Sequence, residues 1–247
     1  VPPGWLQTQN KGEIVTQVIK IRLSTSNAYL VKGERPILVD TGTEEGVPAI
    51  LKAIAQAGLA PRDIALIMLT HGHGDHSGGA EKLKAATGAP IALHRLDLEI
   101  AQSGQNGVLR PSRLSSRFWK PLVAHPFSPF TPDIVLEGGE RLAQWGVKAS
   151  VVHLPGHTAG HCALRLDNGE AIVGDVLMGG YMGGMLRSGF PRVHYFYRDA
   201  AQLRKSIETV LTWNERTLYV GHGGPLSMAA ARARFGQISA SPAATLA

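Results

Sequence analysis

The sequence predicts an α/β domain in which two stacked sheets are flanked by helices. Strand-like apolar runs occur in both halves of the chain. Segments of helical period lie between them, the alternation expected when helices cover sheet faces. At 44% hydrophobic and 18% charged residues, the composition is that of an ordinary globular chain, which excludes disordered, collagen-like and coiled-coil classes.

Residues 13–23 (EIVTQVIKIRL) and 27–31 read as strands, followed by 36–39 (PILV) running into Asp40. Val47, Ile50, Leu51 and Ile54 then recur at helical spacing, with Gly58 as the stop. Residues 64–69 (IALIML) form a continuous apolar run, the pattern of a strand buried on both faces. A short helix over 80–86 leads to a strand over 91–93. From 95 to 132 the periodicity weakens among prolines, serines and glycines, as in a lid or substrate loop, before alternation resumes at 133–136. Strand-like runs follow at 149–154, 162–166, 171–173 and 218–220. Leu203, Ile207, Val210 and Leu211 mark another helix, with Asp199 as its N-cap. The chain reads as one domain over 1–247 with pseudo-twofold organisation, and 95–132 as an insertion over the active site.

Formal net charge is +6, spread without a dense basic run, so no nucleic-acid partner is expected. Arg110, Arg113, Arg117 and Lys120 interleave with Phe118 and Trp119, a patch suited to steering an anionic substrate or anchoring a lid. No stretch of eighteen apolar residues occurs, so no membrane span is expected. A single cysteine, Cys162, excludes an internal disulfide framework and a multi-cysteine zinc site, and its place in a strand-like run reads as packing. The chain begins at Val1 without a leader. A cytoplasmic location is expected, the alternative being a periplasmic or secreted protein after signal removal.

Ten histidines exceed what packing needs, and their positions are the informative part. THGHGDHSGG (70–79) directly follows the apolar run IALIML and holds His71, His73, Asp75 and His76. Alternate residues of an extended turn can aim at one point, so His71 and His73 can share a cation while Asp75 and His76 face a neighbouring one. Imidazole with carboxylate suits zinc, iron or manganese. Three more apolar runs end in glycine and then a ligand-type residue: Gly156-His157, Gly174-Asp175 and Gly221-His222. Such a strand end is a rigid platform for an accessible side chain.

With LVDTGT, THGHGDHSGG, PGHTAGH, VGD and VGHGG in this order, the chain resembles the metallo-β-lactamase fold superfamily. The resemblance implies a four-layer αββα sandwich with a dinuclear metal site along one sheet edge. It also implies that His71, His73 and His157 hold one metal, that Asp75, His76 and His222 hold the other, and that Asp175 bridges them. Two divalent ions are expected, zinc first, with iron or manganese as alternatives. Asp40 is implied as a structural aspartate, and His161 as a supporting or packing histidine. His94, His125, His153 and His194 have no motif and default to core or surface roles.

Paired cations lower the pKa of a shared water, and the resulting hydroxide attacks a carbonyl or phosphoryl centre. Asp75 is the expected catalytic residue, orienting or deprotonating that water. Asp175 counts against a β-lactam specialist, because that branch of the family has Cys or Ser there. Glyoxalase II enzymes carry a helical C-terminal domain for which residues 225–247 leave no room, and RNA-processing members insert a second domain. A small hydrolase of esters, lactones or thioesters fits best, acting on a small molecule, with a homodimer left open. The alternatives are a mononuclear iron persulfide dioxygenase using His71, His157 and Asp175, or a β-lactam or phosphodiester hydrolase. Residues 177–197, rich in glycine, methionine and tyrosine, are expected to wall the pocket and to suit an apolar substrate tail. Tyr181, His194, Tyr195 and Tyr197 can donate to an oxyanion, although packing is the default for each.

Overall fold

The computed structural model describes residues 16–120 and 124–236. Its first sheet runs β1 (Gln17–Arg22), β2 (Asn27–Lys32), β3 (Ile37–Val39), β4 (Ile67–Met68), β5 (Ile91–His94) and, past the separate β6 (Arg110–Pro111), β7 (Ile134–Leu136). Downstream lie β8 (Ala149–His153), β9 (Cys162–Leu166), β10 (Glu170–Gly174), β11 (Met178–Tyr181), β12 (Leu186–Arg192), β13 (Phe196–Tyr197), β14 (Thr217–Val220) and β15 (Leu226–Ser227). The second sheet orders five of these β15-β14-β10-β9-β8, while β11 pairs with β12 and β13 with β6. The helices are α1 (Val47–Gln56), α2 (Gly74–Ser77), α3 (Ala80–Thr87), α4 (Leu98–Ser103), α5 (Ala200–Leu211) and α6 (Met228–Phe235).

Strand alternation explains the layering. In β2, Ala28 and Leu30 face one way and pack with Ile50 and Ile54 of α1 and Leu83 of α3. Tyr29 and Val31 face the other way and meet Leu164 and Ile172 of the second sheet. On that sheet's far side, Ala163, Ala171, Val173 and Leu218 pack against Leu203, Ile207 and Val210 of α5 and Phe235 of α6. Helix, sheet, sheet and helix follow in order, which is the predicted αββα sandwich.

Strand direction places the site. β3, β4 and β5 are parallel, and so are β10 and β14. β8 runs antiparallel to β9, and β9 antiparallel to β10, so β8 shares the direction of β10. The carboxyl ends of β3, β4, β8, β10 and β14 therefore lead to Asp40, His71, His157, Asp175 and His222. In open α/β sheets that edge is where ligands bind.

Some expectations change. The strand predicted over 13–23 is Gln17–Arg22, and residues 13–15 lie outside the described residues. The run 64–69 is wholly buried but pairs as a strand only over Ile67–Met68. Residues 177–197, read as a loop, form the β11–β12 hairpin. Glycines at 179, 180, 183, 184 and 189 hide its alternation, and its turn places Met182, Gly183 and Gly184 at positive φ. The 95–132 segment contains α4 and buries Asp97, Ala101 and Phe130, so part of it is core. Asp199 does cap α5, accepting from the backbone N–H of Ala201 and Gln202.

Candidate metal centre

Asp40, at the end of β3, holds a left-handed backbone conformation (φ 61°) that brings its carboxylate under the site. Oδ1 accepts from the Thr70 backbone N–H at 2.7 Å, and the Thr70 hydroxyl donates to the same carboxylate. Because that hydroxyl proton is spent on Asp40, His71 Nδ1–H donates to Thr70 Oγ1 at 3.0 Å, leaving His71 Nε2 as a bare lone pair. His76 Nδ1–H donates to Asp40 Oδ2 at 2.8 Å. His157 Nδ1–H donates to the carbonyl of Phe196 at 3.0 Å, and His222 Nδ1–H to that of Thr25 at 2.7 Å. Each of these four rings thus offers an Nε2 lone pair. His73 differs, presenting Nδ1 to His157 Nε2 at 3.0 Å.

The lone pairs converge. His71, His73 and His157 have ligand atoms within 4.8 Å of one another, as do Asp75, His76 and His222, and also His71, His76 and Asp175. Asp175 Oδ2 lies 3.3 Å from Nε2 of both His157 and His222 and 3.5 Å from that of His76. Asp175 Oδ1 and His71 Nε2 are buried and make no hydrogen bond among the described residues. Orphaned buried polar atoms are rare in native interiors, and imidazole lone pairs aimed at each other need a cation or proton between them. The donor set fits two divalent cations with nitrogen and oxygen ligands.

Electrostatics agree with that fit. Burial holds His71 and His157 well below the usual histidine pKa, hence neutral, the form that ligates. For Asp175 burial opposes ionisation, but His222, His194 and His76 outweigh it and hold the carboxyl well below its usual range. Burial also opposes ionisation of Asp75, where His76 and His222 prevail and lower its pKa. In His76 and His222 burial favours the neutral ring, yet the carboxylates around them, Asp175 first, raise both above the usual value. These two rings therefore draw positive charge to the site, and a bound cation would take the place of their Nε2 protons.

The loops are pinned from beneath. Asp97 is fully buried and joins two of them, accepting from Gly72 N at 2.9 Å, Thr158 Oγ1 at 2.6 Å and Gly160 N at 2.7 Å. His161 Nε2 accepts from Asp175 N at 3.0 Å, the supporting place expected for it, and burial lowers its pKa to about 3. Gly221 is required by contact, since a Cβ there would collide with Asp175 Oδ1 and His76 Cε1.

Above the cluster opens a cleft of about 1420 Å³. Lys20, Leu109, Phe127, Met182, Met185 and Tyr195 are among its lining residues. Asp75, 28% exposed, faces it.

The chain belongs to the metallo-β-lactamase superfamily. The family model described as the Metallo-beta-lactamase superfamily matches residues 21–222. Hydroxyacylglutathione hydrolase GloC of Haemophilus influenzae is 31% identical over 84% of this chain and 90% of its own length. TTHA1623, solved in a di-iron-bound form, is 30% identical, with a TM-score of 0.62 over 88% of this chain and 97% of that one. The BLEG-1 B3 metallo-beta-lactamase, at 22% identity and TM-score 0.66 over 89% of this chain and 97% of that one, shows the same fold. The chain spans only 59% of the Beta-lactamase-like protein 2 homolog of Drosophila melanogaster, which it matches at 28% identity over 81% of its own length. Its matched relatives include named hydrolases, and the fold of the superfamily binds metal ions. Among the described residues no helix is long and apolar enough to cross a membrane.

All seven residues named from sequence as ligands lie in this cluster. His194 was not among them, yet it is buried with Nε2 3.4 Å from Asp175 Oδ2, and burial lowers its pKa to about 4. The sequence named it only as a possible oxyanion donor of the pocket wall, with packing as its default. His94 and His153 stack at 4.1 Å, and His153 Nε2 donates to the carbonyl of Ala159, bracing the loop of His157. His125 is exposed at the cleft. Tyr181 stacks on Phe190 beneath Arg192, and Tyr197 packs on the α5 core. Arg110, Arg113, Arg117 and Lys120 are exposed, while the side chains of Phe118 and Trp119 lie outside what the structure describes.

Proposed function

We propose that this protein hydrolyses an ester, lactone or thioester of a small molecule at a two-cation centre. His71, His73 and His157 would hold one ion, Asp75, His76 and His222 the other, and Asp175 both. The observation that carries this is the pair of ligand triads, His71-His73-His157 and Asp75-His76-His222, with Asp175 Oδ2 within 3.5 Å of His157, His222 and His76. Two bound divalent cations, zinc in the first instance, supply a hydroxide-equivalent nucleophile near neutral pH and polarise the scissile carbonyl.

The chain's own groups do the rest. Asp75 is the most exposed of the acidic groups in the cluster and is held ionised by His76 and His222, so it orients the attacking water or accepts its proton. Asp40 and the carbonyls of Phe196 and Thr25 lock the ring tautomers, so that no imidazole must reorganise during the reaction. Met182, Met185, Leu109 and Phe127 give the cleft an adaptable apolar wall for an acyl tail. Relatives named hydroxyacylglutathione hydrolase, GloC among them, support acyl transfer to water.

The test is a hydrolysis panel on chelator-stripped protein before and after restoring zinc, manganese or iron. It includes hydroxyacylglutathione, lactones of graded tail length, aryl esters, a phosphodiester and a β-lactam. Metal-dependent turnover of the acyl substrates is expected. Inert acyl substrates beside rapid phosphodiester turnover, or oxygen consumption on a persulfide with one iron per chain, would overturn the reading.

A further inference from the structure

We propose that Arg192 anchors an anionic group of the substrate, so that the protein acts on acyl compounds carrying a carboxylate remote from the scissile bond. Arg192, the last residue of β12, is only 7% exposed. Its guanidinium lies 4.0 Å from the ring of Tyr181 and 5.8 Å from that of Tyr195. Among the described residues its one hydrogen bond is long, from Nη1 to the carbonyl of Gly180 at 3.4 Å, and no carboxylate pairs with it. A guanidinium stays protonated and can only donate, so the sense of its hydrogen bonds is fixed.

Arg165 provides the comparison within the same chain. It too stacks on a ring, that of Trp213 at 4.7 Å, but its Nε also donates to the buried carboxylate of Glu215 at 2.5 Å. Arg192 has the ring without the carboxylate, although it is the more deeply buried of the two. Stacking on an aromatic face returns only part of what a guanidinium loses on leaving water, and a buried charge is normally paired. Nε and Nη2 of Arg192 make no hydrogen bond among the described residues, yet neither is sealed from solvent, so this edge of the fork is open. Two parallel N–H donors on one planar edge fit a carboxylate.

The position of the fork makes the substrate its occupant. Tyr195 lines the cleft, as does Met182 beside Tyr181. The ring of His194 stands 5.9 Å from that of Tyr195, and its Nε2 is 3.4 Å from Asp175 Oδ2. An acyl chain whose carbonyl sits at the cluster can therefore run past Tyr195, where a terminal carboxylate meets Arg192. The hairpin is held to the loop of His222, with Gly179 N donating to the His222 carbonyl at 2.8 Å, so the fork keeps a set distance from the cluster. Arg192 is thus a specificity residue that selects by charge and by chain length.

This inference rests on the hydrolytic reading for the scissile bond, so binding is measured beside turnover. Zinc-loaded wild type, Arg192→Met and Arg192→Lys would be assayed on aryl half-esters of dicarboxylic acids of graded length, and on the same esters with the free carboxylate methylated. Calorimetry would follow binding of the matching free dicarboxylates. The wild type should favour the charged ester, most strongly at one chain length. Arg192→Met should raise KM for that ester about tenfold or more with little change in kcat, leave the methylated ester unaffected, and weaken dicarboxylate binding by a similar factor. Arg192→Lys, a point charge without the fork, should fall between. Equal losses on charged and methylated esters, a wild type indifferent to charge, or dicarboxylate affinity unchanged in Arg192→Met would each overturn the proposal. Should Arg192→Met fail to fold, Arg192→Lys decides by the same comparison of charged and methylated esters. A wild type that hydrolyses no ester while its dicarboxylate binding depends on Arg192 would sink the hydrolytic reading and leave the anchor standing.

Discussion

Asp40 Oδ2 accepts a hydrogen bond from His76 Nδ1 at 2.8 Å, with both side chains sealed from solvent. The same carboxylate holds Thr70, which in turn fixes the tautomer of His71. One aspartate therefore sets the lone pairs of two histidines in the cluster. Asp40→Ala should weaken metal binding about 10- to 100-fold, the usual cost of losing such a supporting carboxylate. Chelator competition checks this, and unchanged affinity would mean that Asp40 only packs.

Asp97 staples the loop of His71 and His73 to the loop of His157 through three hydrogen bonds. Asp97→Ala strands buried donors, at a cost of roughly 3 kcal/mol. For a chain of this size that lowers Tm by roughly 6–12 °C. Melts run with and without metal should also show less metal-induced stabilisation in the variant, because both loops loosen. A variant destabilised equally in both conditions would limit Asp97 to a structural part.

Two glycines make a matched pair. Gly221→Ala drives a Cβ into Asp175 Oδ1 and His76, and should lose metal and activity together. Gly58, just past α1, has φ +76° and open space around it, so Gly58→Ala costs only about 1 kcal/mol of backbone strain and leaves metal content intact. Elemental analysis of both variants separates a contact requirement from a conformational one.

Cys162 is fully buried on β9, and burial pushes its thiol far above the usual range. In the folded protein it should resist a thiol reagent for as long as the fold persists. Brief denaturation should expose one reactive thiol per chain, making labelling a direct report of unfolding. Rapid labelling of the native protein would contradict the packing described for β9.

The layers were legible because strands such as β2 carry apolar residues on both faces, and α1 carries them at helical spacing. The residues the cluster gathers were legible for a related reason. Each follows an apolar strand, through glycine in the cases of His157, Asp175 and His222, so its position in the fold is implied by its position in the chain. Asp97 and His194 were not legible. Asp97 lies where periodicity weakens, and its partners Thr158 and Gly160 are far away in sequence. His194 belongs to no motif, and only the fold brings its ring within 3.4 Å of Asp175. The β11–β12 hairpin was missed because glycine lacks the side chain on which alternation is read.

The central claim is that seven residues hold two cations with Asp175 between them. Metal quantification on the wild type and on Asp175→Ala, after stripping and reloading with zinc, tests it most directly. The account predicts close to two zinc ions per wild-type chain and a clear loss in the variant. Two tightly bound ions retained by Asp175→Ala, or a wild type that saturates at one, would contradict it.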